Sequence, residues 1–235
     1  MKIKGVLFDK DGTLIDFQKT YGPSTASVIN DLCLDNDAIR IQMAEACGFK
    51  LADNGFLPSS MVIAGSCIDM ATAWAPFIGR SDIAELVKEI DQLYARHSTA
   101  HAAAFAFTSG SLARLQGMSL PLGVATNDSE FGAKSHMEKL EMTHFFQFIC
   151  GSDSGYGPKP RPGMIIGFAE KLGVLPSEIA MIGDSVHDLK TAQNAGAVGI
   201  GVTTGLAGKD VLEPHADHVL ESIEALPELI ARLNS

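Results

Sequence analysis

Apolar and polar positions alternate along this chain in two distinct textures. Ile3, Gly5, Val6, Leu7 and Phe8 form a short apolar run that ends abruptly in polar residues, which predicts a buried strand. From about Phe17 to Ala104 the apolar residues recur every three or four positions, the spacing of amphipathic helices. Asp37 to Cys47, closed by Gly48, is one such helix. Ser81 to Arg96 is another, with Ser81 as N-cap and Asp82 and Glu85 in its first turn. Between them, Asp53-Asn54-Gly55 marks a turn and Pro58 a helix start. Beyond Thr108, strands are predicted at Leu122 to Thr126, Phe146 to Cys150, Ile179 to Gly183, Ala197 to Val202 and, shortest, Asp217 to Leu220. Helices are predicted between them at about Ser129 to Met142, Arg161 to Leu172 (closed by Gly173) and Ser185 to Ala195 (closed by Gly196). Strands alternating with amphipathic helices build a parallel sheet covered on both faces. The expected fold class is therefore α/β, a doubly wound parallel sheet interrupted after its first strand by a helical insertion. The insertion is too long for a structureless loop. It is read as a second domain over residues 17–104, with 1–16 and 105–235 forming the core.

Composition narrows the function classes. With 235 residues, 46% of them hydrophobic, the chain can bury a substantial core. Lys and Arg total 18 against 28 Asp and Glu, a formal net charge of -10 that repels a nucleic-acid backbone, so nucleic acid is not an expected partner. Cys33, Cys47, Cys67 and Cys150 are scattered without zinc spacing, which fits reduced thiols in the cytoplasm. The apolar run after Lys2 and Lys4 is stopped by Asp9, too early for a signal peptide, and no run approaches the about 20 residues of a membrane span.

Four polar clusters fall at predicted strand ends, where open α/β sheets bind ligands. The first is Phe8-Asp9-Lys10-Asp11-Gly12-Thr13-Leu14. A period of two puts Asp9 and Asp11 on one side of the chain. Adjacent carboxylates repel, so either one holds a proton or a cation neutralises both. That suits one as nucleophile or metal ligand and the other as general acid; a strand running into an Asp-Gly turn is the plainer alternative. The second is Gly183-Asp184-Ser185-Val186-His187-Asp188. If Ser185 opens the next helix, Asp188 lies one turn in and can share a cavity with Asp184, although capping alone could account for the pattern. Thr126-Asn127-Asp128 is the third. The fourth is Gly157-Pro158-Lys159-Pro160-Arg161-Pro162, whose prolines fix where Lys159 projects, unless Lys159 is merely a solvated loop residue. Together, a hydroxyl and a lysine can clamp phosphate oxygens while Asp9, Asp184 and Asp188 gather a hard cation such as Mg²⁺. The outline is that of a phosphoryl-transfer site.

In this order, DxDGT, a strand-end Thr, a loop Lys and GDSxxD, the sequence resembles the haloacid-dehalogenase-like superfamily of phosphotransferases. The stretch GDSVHDLKTAQNAG is most similar to its phosphoglycolate-phosphatase-like members. The resemblance implies a Mg²⁺-dependent phosphatase acting on a small organic phosphate through an aspartyl-phosphate. It implies Asp9 as nucleophile and Asp11 as general acid and base. Thr126, Asn127 and Lys159 would bind phosphate, and Asp9, the backbone carbonyl of Asp11 and Asp184 would hold the metal. Asp188, with Ser185 beside it, would support Lys159 or a metal-bound water, and the insertion would be a helical cap closing over the site. Three residues depart from the family pattern: Lys10, where an apolar residue is common and which should point away from the catalytic set, Phe17 at the hinge into the cap, and Gly163 after the Lys loop.

A sugar phosphomutase would use the same residues, so the chemistry motifs leave it open. A dehalogenase is disfavoured by Asp11, because a halide leaves without a proton. A receiver-type signalling module would be about half as long and lack the cap and the late acid pair. The insertion's cations are Lys19, Arg40, Lys50, Arg80, Lys88 and Arg96, too few for a highly charged leaving group. Lys50 and Arg80 are the candidates to recognise a substrate carboxylate.

Overall fold

A computed structural model describes residues 2–235. The first strand, β1 (Gly5–Phe8), leads into a run of helices and one hairpin: α1 (Phe17–Leu32), α2 (Asp37–Cys47), β2 (Phe49–Lys50), β3 (Gly55–Phe56), α3 (Met61–Ala64), α4 (Cys67–Trp74) and α5 (Ile83–Ala100). There follow α6 (Thr108–Gly117), β4 (Leu122–Ala125), α7 (Glu130–Lys139), β5 (Phe146–Cys150) and α8 (Gly163–Leu172). The chain ends with β6 (Ile179–Gly183), α9 (Val186–Ala195), β7 (Val198–Val202), α10 (Lys209–Leu212), β8 (His218–Leu220) and α11 (Leu226–Asn234). It divides into two compact units, residues 1–16 with 103–235, and 17–102.

In the larger unit, among the described residues, six parallel strands lie in the order β5-β4-β1-β6-β7-β8. After β1 the chain builds outward through β4 and β5 on one side, then through β6, β7 and β8 on the other. The point where the order reverses is thus beside β1, the place where such sheets open a crevice at their strand ends. Strands β1, β6 and β7 are buried along their whole length, because helices cover both faces. Alternation sorts their side chains into two cores. Val6, Phe8, Val124, Ile182 and Met137 share one, and Leu7, Ala125, Met181, Met164 and Phe168 the other. Asp9 continues the Leu7 side and Lys10 the Phe8 side.

The smaller unit packs around Trp74, fully buried, whose indole N–H donates to the Met43 carbonyl at 2.9 Å. The boundary falls two residues before the expected one. The Asp16 N–H donates to the Ala103 carbonyl at 2.8 Å and Ile15 bridges Ala104, which ties residues 103 and 104 to the sheet unit.

Several elements differ from the sequence reading. Helix α5 begins at Ile83 with Asp82, not Ser81, at its N-cap, and Asp82 makes no capping bond because Arg80 holds both its carboxylate oxygens, at 2.9 and 2.7 Å. The helix expected at Pro58 starts at Met61 behind Ser60, whose hydroxyl caps Val62. The turn at Asp53-Asn54-Gly55 belongs to the β2–β3 hairpin, an element too short to show alternation. Helices α6 and α11 were not anticipated. Phe17 stacks on Tyr21 and packs against Phe56, so its bulk serves the core of its own unit. Gly163 opens α8 where a Cβ would lie 2.1 Å from the Tyr156 carbonyl oxygen, which excludes the acid common at this position.

Candidate active site

Most polar side chains of the site stand at the carboxyl end of a sheet strand or in the loop that follows; Asp188 comes from the first turn of α9. Asp9 follows β1, its N–H donating to the Ile182 carbonyl at 2.7 Å and so continuing the pairing of β1 with β6. Lys159, in the loop between β5 and α8, places Nζ 2.6 Å from Asp9 Oδ1 and 2.6 Å from Asp188 Oδ1, and all three side chains are buried or nearly so. Asp188 is the third residue of α9, and a reciprocal cap fixes it there. Ser185 Oγ and N–H donate to Asp188 Oδ2 at 2.5 and 3.1 Å. Capping was the plain explanation for this spacing. It is also the device that leaves Oδ1 of Asp188 free to face Lys159.

Asp184 ends the strand before that cap. Its carboxylate accepts the Leu206 N–H at 3.3 Å. A Cβ on Gly205 would lie 1.7 Å from its Oδ2, so no side chain can stand there while the carboxylate keeps its place. Among the described residues, carboxylate oxygens of Asp9, Asp184 and Asp188 lie within 4.8 Å of one another. Burial, then the charge of Asp188, pushes Asp184 up to about 7. Burial and Asp188 likewise hold Asp9 well above the ordinary carboxylate range, against the pull of Lys159. For Lys159, burial opposes the charge, but Asp188 and Asp9 outweigh it and raise the ammonium above the usual lysine range. With all three acids ionised, one ammonium would leave two negative charges uncompensated; protons relieve that excess through the raised Asp9 and Asp184 pKa values, and a divalent cation would take their place.

Asp11 lies beyond the strand, yet its charge still acts on Asp9. The strand stops at Phe8 and the chain turns back, with the Gly12 N–H donating to the Ile15 carbonyl at 2.8 Å, so the period of two does not extend to Asp11. Its Oδ2 lies 3.1 Å from Lys10 Nζ, while Oδ1 is buried without a hydrogen-bond partner. Burial raises the Asp11 pKa, and Lys10 opposes the rise. Lys10 therefore points away from Asp9, as alternation requires, yet it does touch the acid pair through Asp11. Its Nζ also meets Asp128 Oδ2 at 2.7 Å and His136 Nδ1 at 2.8 Å. Only the ammonium can donate in the last contact, so His136 accepts at Nδ1. Burial, then the charge of Lys10, pushes His136 down to about 4.

Thr126 is buried after β4, and its hydroxyl oxygen accepts the Asp128 N–H at 3.1 Å. Asn127, expected to bind phosphate, has a structural partner in the lysine loop. Its amide brackets the backbone of Lys159, donating to the carbonyl at 3.1 Å and accepting the N–H at 2.7 Å, and so sets the height of the lysine loop. Lys50 and Arg80 have partners within the smaller unit: Lys50 pairs with Asp53 at 3.1 Å, and Arg80 with Asp82 and Glu89. The sequence reading missed His136, a lone histidine inside a helix that carries no visible signal of its role.

A family model described as haloacid dehalogenase-like hydrolase matches residues 59–202, a span that includes Thr126, Lys159, Asp184 and Asp188. A phosphoglycolate phosphatase of Yersinia pestis is 31% identical over 223 residues, covering 93% of this chain and 89% of its own. The phosphoglycolate phosphatase of Escherichia coli (strain K12) is 27% identical over 248 residues, covering 97% and 92%. Among solved structures, one described as a predicted phosphoglycolate phosphatase from Haemophilus somnus superposes with a TM-score of 0.74 at 18% identity, over 97% of this chain and 98% of its own. A candidate β-phosphoglucomutase from Thermotoga maritima gives 0.71 at 18% identity, over 99% and 100%. At these identities the structures share the fold. Among the described residues no helix is long and apolar enough to cross a membrane.

Proposed function

Because this chain belongs to the haloacid dehalogenase-like hydrolase family, we propose that it is a Mg²⁺-dependent phosphatase that hydrolyses a small phosphate monoester, with 2-phosphoglycolate the first substrate to try. The observation that carries the reading is the buried Asp9–Lys159–Asp188 bridge set against Asp184, three carboxylates gathered around one ammonium. The donor set is all oxygen and suits a small hard cation; Asp9, Asp184 and the backbone carbonyl of Asp11 would hold it. When bound, Mg²⁺ supplies charge neutralisation for the phosphate oxygens.

The chain's own residues divide the remaining work. Lys159 and the Thr126 hydroxyl bind and orient the phosphoryl oxygens. An Asp9 carboxylate oxygen attacks phosphorus as the ester P–O bond breaks, and Asp11 gives its proton to the departing alkoxide. Burial favours the protonated Asp11 this step needs. In the second half Asp11, now ionised, takes a proton from a water that attacks the aspartyl-phosphate. The P–O bond to Asp9 breaks, inorganic phosphate leaves, and both acids return to their starting states. Asp188 holds Lys159 in place, Ser185 holds Asp188, and Asn127 holds the lysine loop. Residues 17–102 supply substrate selection, since the residues above address only the phosphoryl group. Lys50 is the stronger candidate there for a substrate carboxylate, Arg80 being shared between two acids.

The test is phosphate release from several dozen monoesters with Mg²⁺. Turnover of one or more small esters is the expected result. No release from any of them, with transfer between sugar hydroxyls instead, would replace the phosphatase reading with a phosphomutase.

A further inference from the structure

Lys10 has no part in the chemistry above, yet it is among the largest fully buried side chains of the protein. A buried ammonium is expensive. Desolvation costs several kcal/mol per ion, and an apolar residue of similar size would fill the same space without it. The charge is retained in a setting built for it. Nζ meets Asp11 Oδ2 at 3.1 Å, Asp128 Oδ2 at 2.7 Å and His136 Nδ1 at 2.8 Å. Two of these partners are themselves fixed. The Asp128 Oδ1 accepts the Ser129 N–H at 2.7 Å, and His136 sits buried inside α7. The third, Asp11, offers Lys10 its Oδ2, and among the described residues its remaining oxygen, Oδ1, is buried without a hydrogen-bond partner.

We propose that Lys10 is the positioning residue for Asp11: by holding Oδ2 from a site anchored on Asp128 and His136, it leaves Oδ1 as the oxygen that carries and delivers the proton. The inference rests on the reading of Asp11 as the proton donor. It assigns to Lys10, the most evident departure from the family pattern, a role in aiming the acid. A positioned acid matters most when the leaving alkoxide is unstable, and little when it leaves easily.

Three variants, Lys10→Met, Asp11→Asn and the double variant, would be assayed on an alkyl phosphate and on p-nitrophenyl phosphate. Lys10→Met should lose about ten-fold or more on the alkyl ester beyond its loss on the nitrophenyl ester. In the Asp11→Asn background the same change should add no further selectivity. Asp128→Asn, which loosens Lys10 without emptying its place, should show a smaller loss of the same kind if Lys10→Met fails to fold. Equal losses on both esters would make Lys10 a structural residue only. A crystal structure of Lys10→Met with the Asp11 carboxylate unmoved would overturn the inference whatever the kinetics. If Asp11→Asn itself loses both esters equally, the proton-donor reading fails, and the position of Asp11 in that crystal structure then decides on the contact alone.

Discussion

Replacing Lys159 by Met keeps most of the side-chain volume and removes the charge between Asp9 and Asp188. At an effective dielectric constant of about 20, an ion pair at 2.6 Å is worth roughly 6 kcal/mol of attraction, and Lys159 makes two such contacts. Desolvation of the buried ions offsets much of that sum. The net loss expected from removing one partner of a buried pair is about 3–5 kcal/mol, within the margin of a domain with about 5–15 kcal/mol of stability. Relief comes from protonation, since the stranded carboxylates take up protons more readily than before. The stability difference from wild type should therefore shrink as the pH falls, when followed by urea denaturation. For activity, removing one fixed donor to a developing anion costs about 10²–10³-fold in turnover. We expect a fall in kcat/KM of at least that size in Lys159→Met, with weaker inhibition by inorganic phosphate. Thr126→Ala should cost less, because its hydroxyl carries no net charge. Phosphate inhibition as tight in folded Lys159→Met as in wild type would refute a phosphate-binding role for Lys159.

Three further outcomes are expected. Asp9→Asn should abolish turnover while leaving the circular dichroism spectrum and melting transition near wild type, and EDTA should do the same reversibly on Mg²⁺ addition; residual turnover near wild type in either case would remove the nucleophile or the metal from the mechanism. His136, pushed down to about 4 from its ordinary 6.5, is bound by a proton first in the unfolded chain as the pH falls, so its contribution is present above about 6.5 and lost towards 4, about 3 kcal/mol in all. His136→Gln should flatten that part of the acid limb in denaturation curves, and an unchanged slope would mean the imidazole titrates normally. Replacing Lys50 and Arg80 together by Ala should raise KM for a carboxylate-bearing substrate such as 2-phosphoglycolate while sparing p-nitrophenyl phosphate; unchanged selectivity would leave recognition to apolar contacts.

The central strands were legible because they are buried on both faces and so read as continuous apolar runs closed by Gly, Asp or Thr; Ile179–Gly183 is found at its expected limits, as is the edge strand Phe146–Cys150 despite its exposed Gln147. Helix ends marked by Gly48, Gly173 and Gly196 were equally plain, since each adopts the left-handed conformation that stops a helix. What could not be read depends on competition between side chains. Asp82 is drawn off its capping role by Arg80, and the Asn127 side chain is engaged by the Lys159 backbone. Helix α6 buries Thr108 and Ser111 beside Leu112 and Leu115, so its inward face looks half polar in sequence. The Asp9 and Asp184 positions followed from strand ends, and that of Lys159 from its proline-fixed loop read together with them. The contact of Lys10 with Asp11 did not, because alternation says which way a side chain leaves the strand and not how far a flexible one reaches.

The point where the chain leaves and re-enters the sheet unit has a consequence for engineering. Ile15 bridges Ala104 in antiparallel fashion, and Asp16 donates to Ala103, so the outgoing and returning segments already lie as the two legs of a hairpin. Removing residues 17–102 would require only a short turn to join the legs, with no change in register along β1. Another domain whose termini lie equally close could be grafted there in the same way. The insertion is thus an exchangeable cartridge: a contiguous stretch of sequence can be swapped while Asp9, Asp184, Lys159 and Asp188 are inherited unchanged, and such a chimera would test directly whether residues 17–102 set the substrate range, as proposed.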